Sequence, residues 1–297
     1  MSLFISETSH NALRVTVARG TASIIDRRRV HSYLLKIHDL RPYVAPSDTC
    51  SGVPMSTAND ANMIGARKDV VRESQGPFSN PALVATYADE TPRKVPGLAD
   101  LHRMAMLLLS ERAQQAAHIL VIGAGGGMEL KAMAEAQRKW VFTGVDPSAA
   151  MLDLARRNIE PFNDRIELIE GTVDAAPSGS FDGAACLLTL HFLDKSERLL
   201  TLKDIHRRLK PDARLVVAHH SVPSGGAERW LARSVAFADR TSVDWEKAKA
   251  TAAGMARLPL LSVAEEEVLL CEAGFSDVEL FYAAFSFRGW VAKASSA

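Results

Sequence analysis

"ILVIGAGGGMEL", residues 119–130, sets four glycines and an alanine directly after a run of aliphatic residues. The aliphatic run reads as a buried strand, and the "MELKAMAEAQ" that follows reads as a helix. A strand that empties into glycines and then a helix brings bare backbone close to a nucleotide-like ligand, because a Cβ at Gly125 or Gly126 would collide with it. The start of the helix adds free N–H groups. A tight turn alone accounts for one or two glycines, not for Gly123, Gly125, Gly126 and Gly127 together.

A second signal lies about 20 residues on, where "GVDPS" places Asp146 at the end of the next strand. A carboxylate there can accept hydrogen bonds from both hydroxyls of a ribose. NAD and S-adenosylmethionine (SAM) both carry such a ribose. A dinucleotide fingerprint, however, asks for Gly or Ala at the sixth position of G-x-G-x-x-G, where this chain has Met128.

Outward from this pair, strands and helices alternate. "HILVIG" (118–123), "WVFTGVD" (140–146), "RIELIEG" (165–171), "FDGAACLLTL" (181–190) and "ARLVVAHH" (213–220) read as strands, separated by helical segments. In "DKSERLLTLKDIHRRLK", Asp194 and Glu197 have capping-box spacing. The last β-prone stretch, "DVELFYAAFSFRGWVAKA" (277–294), leaves no room for a crossover helix and predicts a hairpin. The expected fold is α/β: a Rossmann-like, doubly wound seven-stranded sheet, mostly parallel, with an antiparallel C-terminal hairpin strand.

Upstream the signals fade. Residues 1–77, with "APSDTCSGVPMSTANDAN" at 45–62, read as a poorly ordered N-terminal extension or linker, and a working chain that begins near Met55 or Met63 is an alternative. The domain proper is expected over 78–297, beginning with a helix after Pro96-Gly97 and interrupted by a helical insertion at about 222–262. The 297-residue chain balances 35 Lys and Arg against 35 Asp and Glu, which gives no whole-molecule field toward nucleic acid or an anionic membrane. Three scattered cysteines suggest neither a disulfide framework nor a metal site, so a cytoplasmic location fits best. No apolar run approaches the roughly 20 residues that span a bilayer, and no membrane partner is expected.

The combination "VIGAGGG", "GVDPSAAML", "IELIEGTVD", "FDGAACLLTLHFL", "RRLKPDARLVVAHH" and "AGFSDVELFYAAFSFRGWVA" resembles the class I SAM-dependent methyltransferases over residues 80–294. "KVPGLADLHRM", "LTLHFL" and the closing segment look like the carboxy-SAM synthase branch, which acts in tRNA wobble-uridine modification. The chain departs from that branch at Leu187, where the branch has asparagine, and its carboxylate-binding arginine matches Arg240 only across a gap.

The resemblance implies SAM as cofactor. Gly123, Ala124, Gly125 and Gly126 would line its methionine moiety and Asp146 its ribose. Pro147, Met151, Thr172 and Val173 would surround the adenine, with Leu187 and Leu188 beyond the fourth strand and Tyr87 as cover. A sulfonium methyl needs mainly alignment and water exclusion. If a general base is used, His191 and His220 are candidates by their place near strand ends, and His219 is a third. The expected activity is methyl transfer to a small-molecule acceptor. Alternatives are a tRNA-modifying methyl- or carboxymethyl-related enzyme, with "HRRLK" as a basic edge, and a non-catalytic SAM-binding protein. Trp230, Phe237 and Trp245 suit a lid, core packing or a homodimer interface.

Overall fold

The computed structural model describes residues 3–9, 12–17, 21–26, 78, 80–223 and 225–296. It contains two compact units, Met1–Ser47 and Asp48–Ala297. In the first, β1 (Leu3–Ser9), β2 (Ala12–Val17) and β3 (Thr21–Asp26) form an antiparallel meander. These strands occupy part of the stretch expected to be poorly ordered. The remainder of that stretch up to residue 77 lies outside the described residues.

In the second unit, helices α1 (Pro81–Lys94) and α2 (Leu98–Ser110) precede the alternation. Then come β4 (His118–Ile122), α3 (Met128–Ala136), β5 (Val141–Asp146), α4 (Ala149–Asn158), β6 (Ile166–Glu170), β7 (Phe181–Leu187), α5 (Lys195–His206) and β8 (Leu209–His220). Helices α6 (Ala227–Ala238) and α7 (Trp245–Met255) fill the insertion, whose ends are tied by a bridge between Val222 and Ser262. Helix α8 (Val263–Glu272) leads to the hairpin β9 (Phe275–Ala284) and β10 (Phe287–Ala294).

The sheet order is β6-β5-β4-β7-β8-β10-β9. β4 to β8 pair in parallel, and β10 runs antiparallel between β8 and β9. The central strands are apolar on both faces because both faces are covered. Successive side chains point to opposite sides. Ile119, Val121, Ala185, Leu187 and Val216 therefore pack with Leu101, Leu109, Leu130 and Met133 of α2 and α3. Leu120, Ile122, Ala184, Cys186 and Val217 pack with Leu202, Ile205, Leu269 and Leu270 of α5 and α8. Each buried Leu, Ile or Val contributes about 1.5–3 kcal/mol by leaving water.

Local signals agree with this packing. Asp194 caps α5 and Glu197 reaches back to the Asp194 N–H, completing the capping box. Arg165 clamps the end of α3 by donating to the carbonyls of Ala134, Gln137 and Trp140. Among the described residues no helix is long and apolar enough to cross a membrane.

Candidate active site

The strand order changes direction beside β4, where β5 and β6 lie on one side and β7 and β8 on the other. Ligands bind at the carboxyl ends of strands at such a switch point, because the loops there diverge and leave a crevice. One cavity opens at this place, with walls from α1, α2, the glycine loop and the loops after β5, β6 and β7.

The glycines divide their labour. Gly123, Gly125 and Gly127 have φ of +69°, +49° and +74°, a left-handed backbone that suits glycine. A Cβ at Gly123 would overlap the Thr189 side chain. At Gly126 it would meet Leu154, and at Gly127 it would meet Ala155 and Ile159, at 3.0–3.1 Å. Gly126 and Gly127 thus allow α4 to pack against the loop, while Gly123 and Gly125 face the cavity. Of the expected loop contacts, Ala124 and Gly126 lie off the lining: Ala124 is fully buried in the core, and Gly126 turns to α4, its carbonyl accepting from Asn158 Nδ2 at 2.8 Å.

Asp146 ends β5 and lines the cavity, 8% exposed. Its Oδ2 accepts from the Gly125 N–H at 2.8 Å and its Oδ1 from the Ser148 N–H at 2.9 Å. Burial raises its pKa above the usual carboxylate range, and these two donors act against that rise. The carboxylate therefore fixes the glycine loop, and each oxygen keeps capacity to accept a further hydrogen bond.

Pro147, Met151, Thr172, Val173, Leu187, Leu188 and Tyr87 also line the cavity. Leu188 has φ of +58°, sparse ground for a branched residue, and its N–H donates to the Ala218 carbonyl at 2.6 Å. Ser148 Oγ caps α4 and donates to the Phe78 carbonyl at 2.8 Å, drawing Phe78 toward Phe192, with ring centres 5.3 Å apart. Tyr87 and Phe78 thereby cover one side of the cavity.

The histidines chosen from strand ends are elsewhere. His191 and His220 are buried with ring centres 4.9 Å apart, and neither lines the cavity. His220 stacks on Phe287 and shares a 2.8 Å hydrogen bond with Ser286, which is itself bonded to Ser234. His191 is the middle residue of a short helical turn at Leu190–Phe192 and is buried there. Burial pushes His220 down to about 4 and His191 lower than its usual range, so both are neutral. His219 points to the other face, its Nε2 2.9 Å from Glu266 Oε1.

Two cavity groups escaped the sequence reading. His102 of α2 is 6% exposed, lines the cavity and is pushed down by burial to about 4. Its signal was its spacing from Leu98, four residues earlier on the same helix and also in the lining. Glu129, in the first turn of α3, is 8% exposed and raised by burial to about 8. An acid amid "GGGMELKAM" was the visible signal.

The basic edge at 206–210 is engaged internally. Arg207 pairs with Asp204, Lys210 with Asp182 at 2.6 Å, and Arg208 donates to the Asp174 and Ala176 carbonyls. Arg240 is exposed, stacked on Phe237 at 4.2 Å, and donates to the Arg93 carbonyl.

Residues 119–212 match the family model described as a methyltransferase domain. The chain is 29% identical over 221 residues to the carboxy-S-adenosyl-L-methionine synthase of Chromohalobacter salexigens, covering 71% of this chain and 80% of that one. Among solved structures it resembles phosphoethanolamine N-methyltransferase 2 of Haemonchus contortus, solved with S-adenosyl-L-methionine, at TM-score 0.57, 12% identity and coverage of 76% and 60%. It also resembles PigF with SAH, at TM-score 0.55, 18% identity and coverage of 77% and 69%. These two likenesses are of fold. With the matched domain, the sheet order and the loop and acid at its switch point, the chain resembles the class I SAM-dependent methyltransferases in domain and in fold.

Proposed function

We propose that the cavity binds SAM and that the protein transfers its methyl group to a small-molecule acceptor. The observation that carries this reading is the order of groups across the sheet. Thr172 and Val173 follow β6, Asp146 ends β5, Gly123 and Gly125 follow β4, Leu187 ends β7 and Leu188 follows it. An adenosyl group laid along that line meets an apolar loop for its base, a carboxylate for its ribose and bare backbone for its amino-acid tail.

The cofactor supplies an already activated methyl on a sulfonium. The chain's part is to orient and to exclude water. Asp146 accepts from ribose hydroxyls while it holds the loop through the Gly125 N–H. Leu98, Met128, Leu187 and Leu188 keep the methyl end apolar. His102, held neutral, is the imidazole of the lining and is able to accept a proton from an acceptor.

A second reading, carboxymethyl chemistry toward tRNA, is favoured by the likeness to carboxy-SAM synthases. The carboxylates of the lining, Asp146 and Glu197, favour a cationic sulfonium over a ligand with an added carboxylate, and Arg240 is engaged at an exposed position. Incubation of the full chain with methyl-labelled SAM and a cell extract split into RNA and metabolite fractions tests the choice. Label in a metabolite is expected. Label confined to RNA rejects the small-molecule reading.

A further inference from the structure

Helix α6 and the turn between β9 and β10 lie far apart in the chain and meet in a fixed contact. Ser234 of the helix and Ser286 of the turn share a 2.6 Å hydrogen bond, and Ser234 Oγ accepts from the Ser286 N–H at 3.2 Å. The contact carries two arginines onto one indole. Arg233 Cζ lies 4.5 Å and Arg288 Cζ 5.9 Å from the centre of the Trp230 ring. Arg288 is anchored, its Nη1 donating to the carbonyls of Phe285 and Phe287 at 2.8 and 2.7 Å. Among the described residues, neither arginine forms an ion pair with Asp or Glu, and Arg233 makes no hydrogen bond.

Elsewhere the chain matches its arginines: Arg198 meets Glu266, Arg207 meets Asp204 and Arg156 meets Asp153. Cation–π attraction holds each guanidinium on the ring, yet it leaves the repulsion between the two uncancelled. Both side chains are half-buried, and burial lowers the Arg288 pKa, so the pair also gives up part of its hydration. Covering the indole alone needs no charge, since aliphatic side chains bury it as well. What the corner lacks is a dianion. A guanidinium presents its N–H groups as a planar fork that fits an oxyanion, and a phosphate monoester carries close to two negative charges at neutral pH. A carboxylate cancels only one. Single-stranded nucleic acid needs open rings on which its bases stack, and this indole is engaged by the chain's own arginines.

We propose that Arg233 and Arg288, held on Trp230, bind the phosphate monoester group of a small molecule. Phe287 pairs with His220, the last residue of β8, so the site lies at the edge of the sheet where the cavity opens. None of its three residues lines that cavity, and the proposal therefore stands apart from the adenosyl reading.

Calorimetric titration of the full chain at low ionic strength with phenyl phosphate, inorganic phosphate, benzoate and an oligouridylate tests the site. Phenyl phosphate is expected to bind most tightly, with benzoate weaker by about tenfold or more. Arg233→Met keeps an aliphatic cover on Trp230 and removes the fork. It should leave the urea midpoint unchanged and weaken phenyl phosphate by about tenfold or more, the loss of one charge-assisted contact. Arg233→Lys, which keeps the charge without the fork, should recover part of that loss. Absence of phenyl phosphate binding, or equal binding by the parent and Arg233→Met, overturns the site. Benzoate or inorganic phosphate bound as tightly as phenyl phosphate overturns the assignment to a phosphate monoester. Tighter binding of the oligouridylate that is lost in Arg233→Met gives the face to nucleic acid and overturns the small-molecule reading of it.

Discussion

Glu266 and Glu129 are both buried glutamates in first turns of helices, yet they sit in opposite kinds of environment. Glu266 meets the fully buried guanidinium of Arg198, which also donates to the carbonyls of Leu193 and Pro259, and it lies beside His219. That cluster joins α5, α8 and β8 and is closed. Glu129 faces a cavity among other acids. The difference shows two ways a fold treats a buried acid: the first is matched by a cation inside the chain, and the second is held neutral by burial.

The closed cluster gives the largest expected effect. Glu266→Leu strands the Arg198 guanidinium and should cost about 3–5 kcal/mol in urea unfolding, while Arg198→Met with Glu266→Leu should recover most of it. A neutral Glu266→Leu would show that the pair does not hold the two helices together. Next is Gly123→Ala, which adds about 1–2 kcal/mol of left-handed strain and about 1–3 kcal/mol for the overlap with Thr189. Thermal unfolding and ligand titration should both register it, since the same turn carries the cavity wall.

Glu129→Gln sharpens the contrast because its sign is opposite. The folded protein keeps the Glu129 proton up to about pH 8, whereas the unfolded chain releases it near the ordinary glutamate value of 4.5. Stability of the ligand-free protein therefore falls as pH rises through this window. The variant should be more stable than its parent by roughly 1–3 kcal/mol above pH 8, and indistinguishable below about 4.5. Lower stability across the range would mean that Glu129 has an internal partner after all.

The smallest effect concerns the neutral histidines. His102 and His220 are held near 4 by burial, with His191 also lowered, while the unfolded chain takes up their protons below about 6.5. Their contribution is complete above that value and is lost as pH falls toward 4. Urea midpoints should drop over this window with a slope of about 1.4 kcal/mol per pH unit per histidine. His102→Leu should flatten the slope by one histidine's share.

Much of the sheet was legible because a buried parallel strand is apolar throughout and a hairpin leaves no space for a crossover. The capping box at Asp194 and the acid at Asp146 were legible because their physics is local. The roles of Gly126 and Gly127 were not, since they depend on Leu154, Ala155 and Ile159 arriving from another helix. His102 was hidden by a spacing that equally describes core packing. His191 and His220 were chosen by their position along strands. The turn at Leu190–Phe192 and the pleat of β8 carry them into a closed polar cluster instead. The meander at 3–26 was missed because clean alternation is confined to Leu13, Val15 and Val17 of β2, while β1 and β3 carry polar residues on both phases.

The most direct measurement is a crystal structure of the full chain with S-adenosylhomocysteine. The ribose hydroxyls are expected on Asp146, the base against Val173 and the tail above Gly125. A ligand bound elsewhere on the chain, or a ribose turned away from Asp146, would contradict it.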